Sequence, residues 1–158
     1  RGPLWNRLQK GEDITLDSGQ HFRADDYSRP AWPPRRVIVG GDNDQPELLH
    51  DAMKQSDVMI HEATFSEDVL AKVGPKYMHS TAAMVAKAAA KAELPALILT
   101  HFSQRYRLNG GDHVEHRIDD LVDEARQHYA GSLTMAEDLH CYQLDRDRQL
   151  RRVEEPGS

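Results

Sequence analysis

Residues 36–65, RVIVGGDNDQPELLHDAMKQSDVMIHEATF, carry the pattern that decides the fold. Two short apolar runs, Val37–Val39 and Val58–Ile60, lie on either side of a segment with helical periodicity. Such alternation is typical of a β-α-β unit, in which two parallel strands are joined by a helix. Because a third apolar run, Leu97–Thr100, follows a second helical segment, the chain is predicted to be an α/β protein.

Each of these three predicted strands runs into a polar residue that can bind a metal or transfer a proton. The first strand leads to Asp42, the second to His61 and Glu62, and the third to His101. In an open α/β sheet, ligands bind beyond the carboxyl ends of the strands, so the three ends are expected to share one crevice. His61-Glu62 is not the zincin helix motif, because Phe65 stands where that motif needs a second histidine, and this disfavours a zinc peptidase. The arrangement indicates the site of another kind of metal-dependent hydrolase.

Capping residues predict where the first two helices begin and end. Asp44 would cap the first helix and Glu47 would complete a capping box. That helix would bury a row of apolar residues, Leu48, Leu49, Ala52 and Met53. A long Ala-rich helix would follow Thr81 and run to about Glu93, ahead of Pro95.

The last third of the chain predicts one more helix and two more strands. The helix would open at Asp112, with Glu115 as the partner in a capping box. It would turn one apolar face inward, formed by Val114, Ile118, Leu121, Val122 and Ala125. Strands are expected near 132–135 and 140–144, and residues 145–158 are expected to form a frayed tail.

Composition limits the class of protein. With 158 residues, one domain is expected, and the formal net charge of -6 is opposite to that of a generic nucleic-acid-binding protein. Any RNA contact would be local, through basic residues such as Lys10, Arg35–Arg36, Arg105 and Arg107, for which a solvated surface is the alternative. The single Cys141 excludes an internal disulfide, fits a cytoplasmic location and is predicted to be a small core residue.

The first 34 residues are interrupted by Gly and Pro, which predicts loops and one hairpin, from Ile14–Leu16 to His21-Phe22. No apolar run approaches the ~18 residues that a membrane helix needs, and residues 1–20 lack the pattern of a secretory signal. A start at Arg1, without an initiator methionine, suggests that sequence upstream is missing.

Each candidate residue also has a structural alternative. Asp42 could bind metal or cap the following helix, and His101 could be a zinc ligand or a structural histidine. His79 lies at a helix start, where the positive end of the helix dipole favours a neutral imidazole, and alone it is weak evidence. His113 and His116 could bind a metal, but a solvated first helical turn explains them as well.

Four motifs nevertheless occur in a fixed order along the chain. They are Gly41-Asp42, His61-Glu62-Ala63-Thr64-Phe65, His79-Ser80-Thr81 and Leu99-Thr100-His101-Phe102-Ser103-x-Arg105-Tyr106. Together they resemble the second half of ribonuclease Z, a tRNA 3′-processing endonuclease with the metallo-β-lactamase fold. Gly2-Pro3-Leu4-Trp5, with Leu8 and Lys10-Gly11, resembles the family's segment implicated in substrate recognition, and Ala136-Glu137-Asp138 resembles its closing motif.

The resemblance implies a chemical role for several residues. Asp42 would bridge two zinc ions, and His101 would bind one of them. His79 would act at the scissile phosphate as proton donor or charge stabiliser, and Glu62 would orient it. In such a dinuclear site the ions activate a water and stabilise the in-line displacement at phosphorus.

The resemblance also implies an architecture and partners. The fold would be the C-terminal half of an αββα sandwich, with a mixed sheet and outer helices. Residues 1–35 would form a recognition segment, 36–145 the half-domain and 146–158 a tail. The substrate would be precursor tRNA or a small phosphodiester, contacted by Arg105 and Lys10, and the protein would be a homodimer.

Two features depart from the family pattern. The family's His-x-His-x-Asp-His run and its additional histidine ligand are absent from the 158 residues, which leaves Asp42 and His101 as metal ligands. A catalytic zinc normally needs at least three protein ligands, so the isolated half is expected to be inactive. Asn43 stands where the family usually has Thr.

Two other functions remain as alternatives to the phosphodiesterase. One is a hydrolase of small esters on the same fold, and the other is a catalytically silent interaction module with an exposed sheet edge.

Overall fold

The computed structural model describes residues 2–28, 32–107 and 116–153. The chain forms two compact units, which divide between Pro34 and Arg35. Within the described residues, no helix is both long enough and apolar enough to cross a membrane.

The first unit is a hairpin flanked by two short helices. Helix α1 spans Pro3–Gln9 and begins at a proline, whose missing N–H would have had no partner within the helix. Strands β1 (Ile14–Thr15) and β2 (His21–Phe22) pair antiparallel, which confirms the predicted hairpin, and helix α2 (Ala24–Tyr27) follows. A small core is formed by three buried residues, Leu8, Ile14 and Ala24.

The second unit alternates strands and helices. In chain order its elements are β3 (Val37–Val39), a 3₁₀ helix (Pro46–Leu49), α3 (His50–Met53), β4 (Val58–Glu62), α4 (Glu67–Val73), a second 3₁₀ helix (Pro75–Tyr77), α5 (Ala82–Lys91), β5 (Ala96–Thr100), β6 (Tyr106–Arg107), β7 (His116–Arg117), α6 (Ile118–Arg126), β8 (Ser132–Met135), β9 (Cys141–Leu144) and β10 (Leu150–Val153). The main sheet has the strand order β3-β4-β5-β8, and all its neighbours are parallel. The parallel direction brings the carboxyl ends of these strands to one edge of the sheet.

Helices α5 and α6 cover one face of this sheet. Helix α5 follows Thr81, whose side chain accepts a hydrogen bond from the Met84 N–H, so the predicted Ala-rich helix is confirmed. Its alanines allow close packing, and the resulting core includes Met59, Leu97, Leu99, Leu121 and Ala125. The opposite face carries a second apolar cluster of Val58, Ala96 and Ile98, against which Tyr142, Leu144 and Leu150 of the β9–β10 hairpin pack.

The first predicted helix is wrong in its start and in part of its buried face. Gln45, and not Asp44, precedes the helical segment, and the Gln45 N–H donates to the side chain of Asn43. The segment then opens as a 3₁₀ helix at Pro46 before it becomes α3. Met53 is fully buried as predicted, whereas Leu48 is 77% exposed and Ala52 is also exposed. The helical segment therefore begins at Pro46, after a turn that Asn43 holds, and the predicted capping box of Asp44 and Glu47 does not form its start.

Three other expectations also need correction. Helix α6 begins at Ile118 after an extended pair, His116–Arg117, while the predicted start at Asp112 and its partner Glu115 lie outside the described residues. The expected tail instead contains β10, which pairs antiparallel with β9. Cys141 is exposed, because alternate residues of β9 face opposite ways and Tyr142 takes the inward position.

Candidate metal centre

Three side chains that lie far apart in sequence converge at the carboxyl edge of the main sheet. Asp42 follows β3, His101 follows β5, and His79 lies in the loop that leads to α5. Each offers one donor atom, and the three donor atoms lie within 4.8 Å of one another. The side chains of Asp42 and His101 are more than half exposed, whereas that of His79 is only 20% exposed. The cluster is therefore open to solvent on one side and anchored in the protein on the other.

The backbone turns sharply at two of these positions. Gly41 has φ +62°, a conformation that glycine adopts without steric cost, and it directs the chain out of the sheet at Asp42. His101 has φ +57°, in the left-handed region that a non-glycine residue seldom occupies. Residues held in such conformations are concentrated at functional sites, where neighbouring contacts hold them in place.

Glu62 lies behind the cluster as a buried carboxylate with three donors around it. Its side chain is 1% exposed. One oxygen, Oε2, accepts hydrogen bonds from the Thr64 N–H at 2.9 Å and the Thr64 hydroxyl at 2.6 Å. The other oxygen, Oε1, accepts from the Ser80 N–H at 2.6 Å and lies 3.4 Å from Nδ1 of His79. These bonds compensate for the burial of the charge and aim the carboxylate at the His79 ring.

The His79 ring is held between Glu62 and two other rings. Its Nδ1 atom is buried and makes no hydrogen bond to the described residues, so the nearby Glu62 oxygen is the group that a proton on Nδ1 would meet. Phe65 packs against it with ring centroids 6.0 Å apart, and the His101 ring lies at 5.3 Å. The second ring nitrogen, Nε2, lies on the opposite edge of the imidazole from the atom that faces Glu62.

His61 and Asn43 tie the end of β3 to the loop that carries His79. His61 is fully buried, and its Nδ1 lies 2.8 Å from the backbone oxygen of Glu62, which can only accept a hydrogen bond. Nδ1 therefore carries the proton, and Nε2 accepts from the Asn43 amide at 3.3 Å. The backbone oxygen of Asn43 in turn accepts from the Ser80 hydroxyl at 2.6 Å.

The loops after β4 and β5 are also joined to each other. The Ser66 N–H donates to the Tyr106 hydroxyl at 2.7 Å, and the Ser103 N–H donates to the Thr64 backbone oxygen at 3.2 Å. Burial raises the pKa of the Tyr106 phenol, so this group remains a neutral hydroxyl at physiological pH. The two loops that frame the candidate site thus form one hydrogen-bonded unit.

The predicted substrate-contacting residues lie outside the cluster of three donors. Arg105 is exposed, and its guanidinium donates to the Ser103 hydroxyl at 3.2 Å. It borders a cleft of about 330 Å³ together with Lys72 and His116. Lys10 belongs to the first unit, where it follows α1. Of the predicted histidine pair, His116 lies in β7 and His113 lies outside the described residues.

Sequence reasoning missed the connecting function of Thr64 and Asn43. The Thr64 hydroxyl contacts both Glu62, the last residue of β4, and His101, which directly follows β5. The sequence does show the Thr64 hydroxyl two residues after Glu62, at the end of a strand. Its second partner, His101, could not be found in this way because it lies 37 positions away in sequence. Asn43 could be noticed only as a replacement for threonine, because its partner His61 becomes its neighbour through the pairing of β3 with β4.

The chemistry of the donor set fits a zinc ion. Imidazole nitrogen and carboxylate oxygen are common zinc donors, and catalytic zinc sites combine protein donors of these kinds with an open position. The exposed side of the cluster leaves room for such a position. A bound ion would therefore be held by donors of this group of three, Asp42, His79 and His101.

The curated proteins that the chain matches include several with the same name, ribonuclease Z. The chain is 48% identical over 153 residues to ribonuclease Z of Marinobacter nauticus, an alignment that covers 97% of this chain and 47% of the relative. It is 51% identical over 150 residues to ribonuclease Z of Pseudomonas putida, with 95% and 46% covered, and 32% identical over 147 residues to that of Brevibacillus brevis, with 93% and 45% covered. No protein-family model matches the chain.

A solved structure gives the fold. The metallo-β-lactamase fold protein YhfI from Bacillus subtilis superimposes with a TM-score of 0.50 at 21% identity, covering 65% of this chain and 37% of that protein. The chain spans about half the length of the curated relatives that it matches. The resemblance drawn from the motifs is confirmed: the chain is a relative of ribonuclease Z that corresponds to about half of that protein, and it has the metallo-β-lactamase fold.

Proposed function

We propose that the chain supplies part of the dinuclear zinc centre of a phosphodiesterase that cleaves the 3′ end of precursor tRNA. The observation that carries this proposal is the convergence of Asp42, His79 and His101, with the buried carboxylate of Glu62 behind them. Ribonuclease Z relatives at about half-length coverage support the reaction class. Bound zinc supplies an activated water and stabilises charge in an in-line displacement at phosphorus.

The protein's own groups divide the remaining work. Asp42 and His101 would hold the metal, and the two carboxylate oxygens of Asp42 would allow it to serve both ions of a dinuclear centre. His79 donates a proton to the leaving oxygen of the scissile phosphodiester. Glu62 orients the His79 ring from the buried side, with its Oε1 atom 3.4 Å from Nδ1. Arg105 and Lys10 hold the RNA backbone through its phosphates.

The isolated chain is proposed to be inactive. Asp42 and His101 are two ligands, whereas a catalytic zinc normally takes three or more from protein, and the His-x-His-x-Asp-His run is absent from these 158 residues. The other ligands must therefore come from a polypeptide that carries this run. A cytoplasmic location and a homodimer complete the proposal, and sedimentation of the complemented protein tests the dimer.

The test is cleavage of a precursor tRNA by the chain alone and after complementation. The complementing polypeptide is the remaining half of the Marinobacter nauticus relative, and both reactions contain zinc. We expect no cleavage by the chain alone and 3′ cleavage by the complemented protein. His79→Ala should lower the rate by about 10²–10⁴-fold. His128→Ala, which removes an imidazole outside the cluster, should not change it.

Two outcomes would count against the proposal. A complemented protein that binds zinc and cleaves neither precursor tRNA nor bis(p-nitrophenyl) phosphate would overturn the phosphodiesterase. Cleavage by the chain alone would overturn the proposed inactivity of the half.

A second candidate, a hydrolase of small esters, is favoured by the net charge of -6, which repels a polyanion. A panel of carboxylic and sulfate esters distinguishes the two. Turnover of these esters without turnover of RNA would support the second candidate.

A further inference from the structure

Thr64 lies at the point where the buried carboxylate and the candidate metal ligand meet. Its hydroxyl oxygen is 2.6 Å from Oε2 of Glu62, 3.0 Å from Nδ1 of His101 and 3.0 Å from the His101 backbone oxygen. Thr64 is also mostly buried, at 6% exposure, so water does not compete freely for these contacts.

The single hydroxyl proton decides how these contacts are made. The ionised Glu62 carboxylate and the His101 backbone oxygen can both only accept, and the contact with the carboxylate is the shorter, so the proton points to Glu62. The hydroxyl oxygen then has lone pairs but no proton left for His101. A ring nitrogen with its own lone pair at 3.0 Å from that oxygen would be repelled, whereas an N–H at this distance makes an ordinary hydrogen bond.

We propose that Thr64 is a positioning residue that holds neutral His101 in the tautomer with its proton on Nδ1. In that tautomer Nε2 carries the free lone pair and is the atom available to a metal ion. The assignment of the tautomer stands on the hydrogen bonds alone, and its importance for metal binding rests on the proposed function. Metal sites in general have a hydrogen-bond acceptor beside each ligating histidine, and this acceptor fixes the tautomer of the ring.

The same hydroxyl connects the two halves of the proposed chemistry. Glu62 contacts His79 through Oε1 and Thr64 through Oε2, and Thr64 contacts His101. The ring proposed to donate a proton and the ring proposed to bind metal are therefore linked through one carboxylate and one hydroxyl. The competing acceptor near His101, Oδ1 of Asp42, is 3.7 Å from Nδ1 and beyond hydrogen-bond distance.

The test is ¹⁵N NMR of the histidine rings in the metal-free chain, at a pH where His101 is neutral. The His101 signals are assigned by their loss in His101→Gln. We expect the wild-type ring to show a pyrrole-type Nδ1 and a pyridine-type Nε2. Thr64→Val, which has nearly the same shape without the hydroxyl, should shift the ring towards the Nε2–H form, and Thr64→Ser should restore the wild-type pattern.

A second measurement follows zinc binding by calorimetry to wild type and the two Thr64 variants, each complemented with the half that carries the other ligands. We expect Thr64→Val to weaken zinc binding by about 10-fold or more, as loss of a hydrogen-bond partner of a ligating histidine does, and Thr64→Ser to bind like wild type. A residue that only stabilises the fold would instead lower the unfolding temperature of both variants without changing the tautomer.

The proposal is overturned by an Nε2–H ring in the wild-type chain, or by an unchanged tautomer in a folded Thr64→Val. The wild-type spectrum alone decides the matter if the valine variant fails to fold. Neither spectrum uses substrate, so failure of the complemented protein to cleave RNA would overturn the proposed function and leave this inference standing.

Discussion

Gly40 lies against the imidazole ring of the buried His61, at the point where β3 ends. A methyl group added at Gly40 would come within 2.5 Å of the ring carbon Cδ2. The Gly40 N–H also donates to the Ile60 backbone oxygen at 2.8 Å, which limits how far the backbone can move away. The glycine is therefore required by close approach to a ring that itself positions Asn43.

Gly40→Ala is predicted to lower the free energy of unfolding by about 1–3 kcal/mol, because the buried ring must move. Urea denaturation followed by circular dichroism measures the loss. Gly2→Ala serves as the control, since a methyl group there meets no atom within 4 Å. Equal stability of the Gly40 variant and wild type would show that His61 can shift without cost.

The buried phenol of Tyr129 should make the free energy of unfolding depend on pH in the alkaline range. Its hydroxyl donates to the Leu94 backbone oxygen at 2.7 Å, and burial raises the pKa of this phenol to about 12. As pH rises from the ordinary value near 10, the unfolded chain loses the Tyr129 proton before the folded chain does, so folding becomes less favourable. The contribution is complete at neutral pH and is lost as pH rises through about 12.

Tyr129→Phe should cost about 1 kcal/mol of unfolding free energy at pH 7, since the Leu94 oxygen loses its donor. The difference between the two proteins should shrink in urea titrations carried out at increasing pH above 9. A difference that stays constant up to pH 11 would contradict the assigned role of the phenol.

At the scale of the element, Glu124 of α6 joins the beginnings of two other helices. Its two carboxylate oxygens accept hydrogen bonds from the Glu67 N–H of α4 and the Ala83 N–H of α5, each at 2.9 Å. The first N–H groups of a helix have no partner within the helix, so one side chain here satisfies donors of two helices. Glu124→Ala is predicted to lower the unfolding free energy by about 1–2 kcal/mol at pH 7.

The control for Glu124→Ala is Asp123→Ala, which removes an exposed acid from the same helix.

Burial raises the pKa of Glu124, so the folded state holds the carboxyl proton of Glu124 at pH values where the unfolded state has lost it. The stability that wild type owes to Glu124 should therefore decrease as pH rises from about 4 through the raised pKa. Urea titrations of both variants at pH 4 to 7 measure this, and an increase over that range would contradict it.

The strands were easier to predict than the details of the helices. Apolar runs at residues 37–39, 58–60 and 97–100 were sufficient to place β3, β4 and β5. The runs in β4 and β5 are typical of buried parallel strands, which are nearly continuous in hydrophobicity, whereas two of the three residues of β3 are exposed. The parallel direction of the three strands then accounts for the approach of Asp42 and His101. The start of the first helix was missed because Asn43 and Asp44 are both good capping residues, and only the tertiary contact with His61 selects Asn43 for the turn.

The contact between Glu62 and His79 could not be derived from spacing. It depends on the loop between β4 and α5 returning to β4, where Phe65 bridges to Thr81 and the Ser80 N–H meets the Glu62 carboxylate. The pairing of β10 with β9 was missed for a similar reason. Its sequence, Leu-Arg-Arg-Val, has two charged residues in four and no continuous apolar run, so its order comes from the partner strand.

At the scale of the molecule, the two faces of the main sheet are covered differently. Helices α5 and α6 cover one face, while the other face is covered by the β9–β10 hairpin. Among the described residues β3 pairs with one strand only, β4, and its Val37 and Val39 are 51% and 75% exposed. An open apolar edge invites association with another chain, which agrees with the proposal that a second polypeptide completes the site.

The β9–β10 hairpin should therefore contribute to the stability of the whole second unit. Leu150 packs against the cluster of Val58, Ala96 and Ile98, while Arg152 of the same strand is exposed. Leu150→Ser is predicted to lower the unfolding free energy by about 1–3 kcal/mol through lost apolar burial, and Arg152→Ser to change it by less than about 0.5 kcal/mol. Because Leu150 packs against residues of β4 and β5, the backbone amides of these two strands should also exchange hydrogen faster in Leu150→Ser. If only the hairpin amides exchange faster, the hairpin is an independent appendage rather than a layer of the fold.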